Sequence, residues 1–253
     1  MKIIYFSSTG NNIYIAQSLN GELLSIPQQI KKGKYNIKDD VVGIIFPNYY
    51  MTVPDIVGKY LEQVKIEAEY IFTICSYGSI EEGAIRALKK CNKILEQKHE
   101  INYSNTVLMV DNYLPAFDMK IEKEIKKDEN IDAQIKTIKE DILNRKQQKI
   151  SSYIEEEIIL QDQQHKERFQ NMIKLELTEN ECIQCEICIK VCPNANIKLE
   201  NKPVIGNNCE QCLGCVHHCP NNVIKTNIEK SNERFINPHI KLSHIIESNN
   251  QQT

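Results

Sequence analysis

The 253-residue chain has no tryptophan, so any aromatic surface it offers to a flat ligand must come from its 11 tyrosines, 6 phenylalanines or a histidine. It has no apolar run near the ~18 residues that span a bilayer, so no membrane partner is expected. It has no surplus of positive charge. The 31 Lys and Arg alternate with 34 Asp and Glu for a net charge of -3, which argues against nucleic acid or an anionic membrane as partner. No Ser/His/Asp or Cys/His nucleophile constellation and no paired carboxylates mark hydrolytic or acid–base chemistry. Neither a Walker loop nor Gly-x-Gly-x-x-Gly is present. The first strand-like run, Ile3 to Phe6, leaves no room for a leader, so a cytoplasmic location is expected. In that compartment ten cysteines argue for metal ligation rather than disulfides.

Residues 1–117 alternate short strands with helices. Lys2–Phe6, Leu23–Ile26, Val41–Phe46, Tyr70–Cys75 and Thr106–Val110 are runs rich in Ile, Val, Phe and Tyr, of the unbroken apolar kind that suits parallel strands buried on both faces. Helices are predicted over Asn12–Leu19, Pro54–Val64 and Ile80–Gln97. This alternation implies a doubly wound α/β sheet. Residues 118–176 form a connector. Its stretch to about 173 is charged and free of glycine and proline, with Ile121, Ile125, Ile131, Ile135, Ile138 and Ile142 at mostly helical spacing, and it predicts one or two long amphipathic helices. Residues 230–253 read as a polar tail, in which Arg234–Ile246 docks back on the protein and Ser248–Thr253 is disordered.

Residues 177–229 contain a gapless duplication at an offset of 27. The first copy carries Cys182-x2-Cys185-x2-Cys188-x3-Cys192-Pro193; the second carries Cys209-x2-Cys212-x2-Cys215-x3-Cys219-Pro220. Three thiolates three residues apart on one loop reach three corners of an iron–sulfur cube, whereas the fourth lies too far along the chain to close the same cube and ligates the other. The expected sets are therefore Cys182, Cys185, Cys188 with Cys219, and Cys209, Cys212, Cys215 with Cys192. Two zinc knuckles or a disulfide scaffold would leave the third and fourth cysteines of each copy unexplained. His217 and His218, between ligands, are expected to be exposed rather than ligating. Cys75 and Cys91, outside the motifs, are expected to be small buried hydrophobes.

Three loops follow the carboxyl ends of predicted strands. Ser7-Ser8-Thr9-Gly10-Asn11-Asn12 enters a helix with short polar side chains, a setting for a phosphate or simply a helix cap. Pro47-Asn48-Tyr49-Tyr50 and Ser76-Tyr77-Gly78 carry aromatics. In a sheet of order 2-1-3-4-5 these loops are neighbours at the end where ligands bind. Asp111–Pro115, after the last strand, could line the same site, contact the cysteine-rich part, or be a plain turn.

The segment Tyr5-Phe-Ser-Ser-Thr-Gly-Asn resembles the FMN phosphate loop of flavodoxins, and the two aromatic loops resemble those that sandwich the isoalloxazine ring. The cysteine motifs resemble those of bacterial-type 2[4Fe–4S] ferredoxins at every position. The chain as a whole resembles a flavodoxin–ferredoxin fusion. The resemblance implies a flavodoxin-like domain over 1–117, a helical connector over 118–176 and a small α+β ferredoxin domain over 177–229. It implies that Ser7 to Asn12 surround the FMN phosphate and that Tyr49 or Tyr50, and Tyr77, stack on or edge the ring. Asn12 departs from the Thr or Ser found there in many flavodoxins. The expected function is electron transfer between two [4Fe–4S] clusters and FMN, with a redox protein as donor and another as acceptor. The alternatives are an FMN-dependent reductase with its own small-molecule acceptor, such as a quinone, and a redox or iron sensor whose flavin site stays empty.

Overall fold

Residues 3–6 show why the first strand is central: Ile4 and Phe6 pack into one core while Ile3 and Tyr5 pack into another on the opposite face. Side chains alternate along a strand, so apolar residues at consecutive positions require cover on both sides. The computed structural model, which describes residues 1–127 and 129–252, provides that cover. The chain begins β1 (Lys2–Tyr5), α1 (Asn11–Ser18), β2 (Glu22–Ser25), α2 (Ile26–Lys31), β3 (Asn36–Lys38), β4 (Val41–Pro47), α3 (Asp55–Leu61), β5 (Lys65–Glu67), β6 (Tyr70–Tyr77), α4 (Glu81–Leu95) and β7 (Tyr103–Leu108). Five of these strands form one sheet in the order β2-β1-β4-β6-β7, every neighbour parallel. With the short β3–β5 pair set aside, this is the flavodoxin-like order expected above. In α4, Ala84, Ala87, Leu88, Cys91 and Leu95 are buried at the three- and four-residue spacing of one helix face.

The connector holds three helices, α5 (Met119–Lys126), α6 (Ile131–Leu143) and α7 (Glu156–Met172), not the one or two long ones expected. Between α6 and α7 the chain is extended, and Gln148 exchanges backbone hydrogen bonds with Asn102 and Ser104 beside β7. Only part of the isoleucine stripe is used. Ile135, Ile138 and Ile142 seal one face of the sheet, whereas Ile121 and Ile125 are exposed. Helix α5 turns Met119 and Glu122 inward instead, because the Glu122 carboxylate accepts the backbone N–H of Asp111 at 3.2 Å.

The cysteine-rich part follows as β8 (Leu175–Leu177), α8 (Ile187–Lys190), β9 (Ile197–Leu199), β10 (Pro203–Ile205), α9 (Gly214–His217) and β11 (Ile224–Thr226). Two antiparallel ribbons, β8 with β11 and β9 with β10, enclose a third core. That core includes Ile189, Ile197, Val216 and Ile224, with Leu114 and Met119 from the preceding segment and Phe235 from the tail. The duplication extends to the backbone. Left-handed residues recur in matched pairs: Gln184 with Gln211, Glu186 with Leu213, and Ala195 with Asn222.

The tail ends in α10 (Leu242–Asn249) and is not disordered through residue 252, the last one described. Ser248 and Asn249 are buried, and the Tyr5 hydroxyl bonds Ser248 Oγ at 2.6 Å. Polar side chains are buried this way only when fixed partners accept them. Among the described residues, no helix is long and apolar enough to cross a membrane.

Candidate functional site

The carboxyl ends of β1, β4, β6 and β7 converge on one cavity of about 290 Å³. The three loops singled out in the sequence all contribute to it. Ser7, Ser8, Thr9, Asn11 and Asn12 form one wall; Pro47, Asn48, Tyr49 and Tyr50 another; Ser76, Tyr77 and Gly78 a third. Gly10 belongs to the first loop but does not line the cavity. It sits at φ 100°, and a Cβ there would come within 3.0 Å of Ile240 from the tail. Gly78 is needed for close approach, since a Cβ would lie 2.4 Å from the Asp111 Cα. Only glycine lets the loops after β6 and β7 meet.

The first loop carries backbone donors turned to no partner. The N–H groups of Ser8 and Thr9 have no acceptor among the described residues, although both residues are buried. Buried amides ordinarily find partners, so a ligand acceptor suits them. The Asn12 amide donates to the Phe6 carbonyl at 2.9 Å, leaving its oxygen buried and without a partner. Asn112 donates to Thr9 Oγ1 at 2.6 Å, and the Tyr49 hydroxyl bonds Ser8 Oγ at 3.2 Å. Tyr49 is thus turned toward the phosphate-type loop and the Phe6 edge. Tyr50 instead meets Tyr113 edge-on at 5.7 Å and donates to Gln211 at 3.0 Å.

Several lining residues were not read from the sequence as belonging here. Asp111, Asn112 and Tyr113 settle the undecided loop: it lines the cavity and also grips the cysteine-rich part through Leu114. His165 and Phe169 of α7 close the cavity from above, their rings 4.5 Å apart. Two aromatics four residues apart in an otherwise charged run were the available signal. Asp162 anchors this helix. It is buried between Arg86 at 3.1 Å and Lys90 at 2.8 Å.

Among the described residues, no lysine or arginine lines the cavity, and Asp111 is its one carboxylate. Burial pushes the Asp111 carboxyl up to about 6, Glu122 adding to the effect while the backbone of Tyr113, Ser79 and Lys126 oppose it. The folded chain therefore binds the Asp111 proton more tightly than the unfolded chain does. Its contribution is whole below the ordinary value of 3.8 and is lost as pH rises through about 6. Asp111→Asn is expected to remove this loss, raising stability above pH 6 by about 1–2 kcal/mol. Urea midpoints of both proteins between pH 5 and 7.5 check it, and parallel pH profiles would contradict it.

All ten thiols are free. Burial pushes the Cys188 thiol up to about 11, and the neighbouring thiols that add to this are Cys219, Cys185 and Cys182. The same four cysteines line one small cavity beside Leu199, Pro203 and Val223. Burial likewise raises Cys215, whose contributing thiols begin with Cys212, Cys209 and Cys192. The fourth cysteine of each copy thus lies with the other copy's triplet. Backbone N–H groups point at sulfur in matched positions, Asn196 to Cys192 at 3.3 Å and Val223 to Cys219 at 3.2 Å. Among the described residues, no group of three or more His, Cys, Asp or Glu side chains is placed to hold a single metal ion. A lone ion would draw its sulfurs to about 2.3 Å, whereas a cube spreads four thiolates over its corners.

His217 and His218 are buried, not exposed. His217 Nε2 donates to the Asn112 carbonyl at 2.8 Å and its Nδ1 accepts from the Phe235 amide at 3.1 Å. His218 Nε2 donates to the Ser8 carbonyl at 2.9 Å. They face the loops after β1 and β7, which the sequence does not place beside α9. Cys75 and Cys91 are fully buried.

Cys212 and Leu213 of the second cysteine copy form part of the wall of the cavity at the carboxyl ends of the strands. No family model matches the chain, and no curated protein does. Among solved structures, the chain is similar to a proposed flavoprotein from Bacteroides uniformis, at 12% identity over 49% of this chain and 96% of that one, with a TM-score of 0.32. It is also similar to a proposed flavoprotein from Bacteroides eggerthii, at 17% identity over 50% of this chain and 94% of that one, with a TM-score of 0.31. Likeness of this degree decides neither fold nor function; the strand order and cavity walls stand by themselves.

Proposed function

We propose that this chain is an electron-transfer protein that holds two [4Fe–4S] clusters and one FMN and works between a redox-protein donor and acceptor. The observation that carries the reading is the shared wall: Cys212 and Leu213 border the cavity formed by the three loops at the carboxyl ends of the sheet. A sulfur set and a flavin-sized pocket side by side suit electron exchange. When bound, the clusters supply one-electron steps and the flavin two-electron steps, so the protein would link the two kinds of couple.

The residues divide the work. Ser7, Ser8, Thr9 and Asn11 would supply loop amides and short polar side chains for the phosphate, at the positive end of α1. Asn48, Tyr50, Tyr77 and Tyr113 frame the ring, and α7 excludes water from above. Cys182, Cys185, Cys188 and Cys219 would hold one cluster; Cys209, Cys212, Cys215 and Cys192 the other. Cys212 of the second set lines the cavity, so that set would exchange electrons with the flavin and the first with the outside partner. A cavity of about 290 Å³ lies near the lower end of single-ligand pockets, and His165 and Phe169 form part of its wall.

Anaerobic purification with iron, sulfide and flavin counts tests this. About eight irons and one FMN per chain are expected. Zinc in place of iron would overturn the cluster assignment. Clusters without flavin would favour the sensor. Turnover of a quinone with no protein partner would favour the reductase.

A further inference from the structure

The loop from Ser7 to Thr9 is gripped from behind. Asn249 Nδ2 donates to the Ser7 carbonyl at 2.9 Å, His218 Nε2 to the Ser8 carbonyl at 2.9 Å, and the Asn237 amide to the Thr9 carbonyl at 2.8 Å. Three consecutive carbonyls are held by residues more than 200 positions away, two from the tail and one from the second cysteine motif. In a trans peptide the N–H of the next residue points opposite to the carbonyl. Fixing the Ser7 and Ser8 carbonyls therefore turns the Ser8 and Thr9 amides the other way. Ser7, Ser8 and Thr9 line the cavity, while Asn249, His218 and Asn237 do not. The gripping groups and the cavity lie on opposite sides of the loop.

Asn249 has no other evident reason to be where it is. It is fully buried, and its side-chain oxygen has no partner. Its amide satisfies the buried Ser7 carbonyl, and an apolar side chain there would leave that acceptor unpaired.

We infer that Asn249 and His218 are positioning residues of the phosphate loop, aiming the Ser8 and Thr9 amides at an anion. The inference rests on the flavin reading above and deepens it. The anion is the phosphate ester of the cofactor, so the two side chains set the preference for FMN over its dephosphorylated form, riboflavin. Because His218 precedes Cys219, the folded cysteine-rich part is also part of the phosphate site.

The test compares FMN and riboflavin by fluorescence titration of full-length, iron-loaded, flavin-free protein. In Asn249→Leu and His218→Phe, FMN affinity is expected to fall about tenfold or more, as for loss of a hydrogen bond to a charged group, while riboflavin affinity changes less than about twofold. Asn249→Leu should lower the melting temperature by only a few degrees, the scale of one orphaned buried carbonyl, and His218→Gln, which retains a donor near the same place, should recover FMN affinity. Unchanged FMN affinity, or an equal fall for both flavins, overturns the inference while leaving the flavin reading intact. A wild-type protein that binds neither flavin overturns that reading and the inference with it.

Discussion

Serine at position 219 is expected to halve the iron content, from about eight atoms per chain to about four. Cys219 lies with Cys182, Cys185 and Cys188, so its loss should empty that set and spare the other. Pairs of substitutions make the wiring testable. Cys188→Ser together with Cys219→Ser should cost no more iron than either alone, because both belong to one set. Cys215→Ser with Cys219→Ser should remove nearly all of it, although those two cysteines are sequence neighbours. The reverse pattern would mean that each motif closes its own site, and the two-cluster account would fall. The effect should reach the fold as well. The unit has only some 50 residues, below the size at which an apolar core usually suffices alone, so in the proposed two-cluster protein metal–thiolate bonds would supply part of its folding free energy.

Asp162→Ala is expected to destabilise the protein by about 3 kcal/mol, the scale of removing one partner from a buried ion pair. The Asp162 side chain is 3% exposed between Arg86 and Lys90. Arg86 keeps a second partner in Glu82 at 2.6 Å, but Lys90 loses its carboxylate, and burial already pulls its ammonium below the ordinary range. The substitution should also loosen α7, which carries His165 and Phe169 over the cavity, so FMN should dissociate faster. Glu82→Ala supplies the comparison: Glu82 is 69% exposed, and a surface pair of this kind is worth at most about 0.5 kcal/mol. Urea midpoints and flavin release rates measure both. A cost for Asp162→Ala no greater than that for Glu82→Ala would show that the clasp does not hold the roof.

Much of the site could be read before folding because its chemistry is local. Cys209, Cys212 and Cys215 fall within seven residues, and no distant residue is needed to recognise their spacing. Ile3 to Phe6 declare a strand covered on both faces by consecutive apolar side chains, and the loop that follows carries its own short donors. The tail shows the opposite case. Ser248 to Gln252 are polar and read as disordered, yet Asn249 is fully buried. A lone amide carries no record of the carbonyl that will accept its hydrogen bond. The same holds for His217 and His218, whose expected exposure followed from cysteines already sufficing as ligands and whose burial follows from the carbonyls of Asn112 and Ser8. The isoleucines of α5 mislead for a related reason. Spacing says that Ile121 and Ile125 share a face with one another, but not that Glu122 would turn that face outward by binding the Asp111 amide.

The sequence by itself determined the alternation of strands and helices, the positions of the three loops and the membership of the cysteine motifs. Each depends on periods and spacings short enough for one stretch of chain to express. Tertiary structure alone decided that Cys212 shares a wall with those loops, that α7 roofs them and that the tail grips the first from behind. These are contacts between segments as much as 242 residues apart. Their hydrogen bonds and ion pairs exist only once the apolar cores have brought the polar partners together.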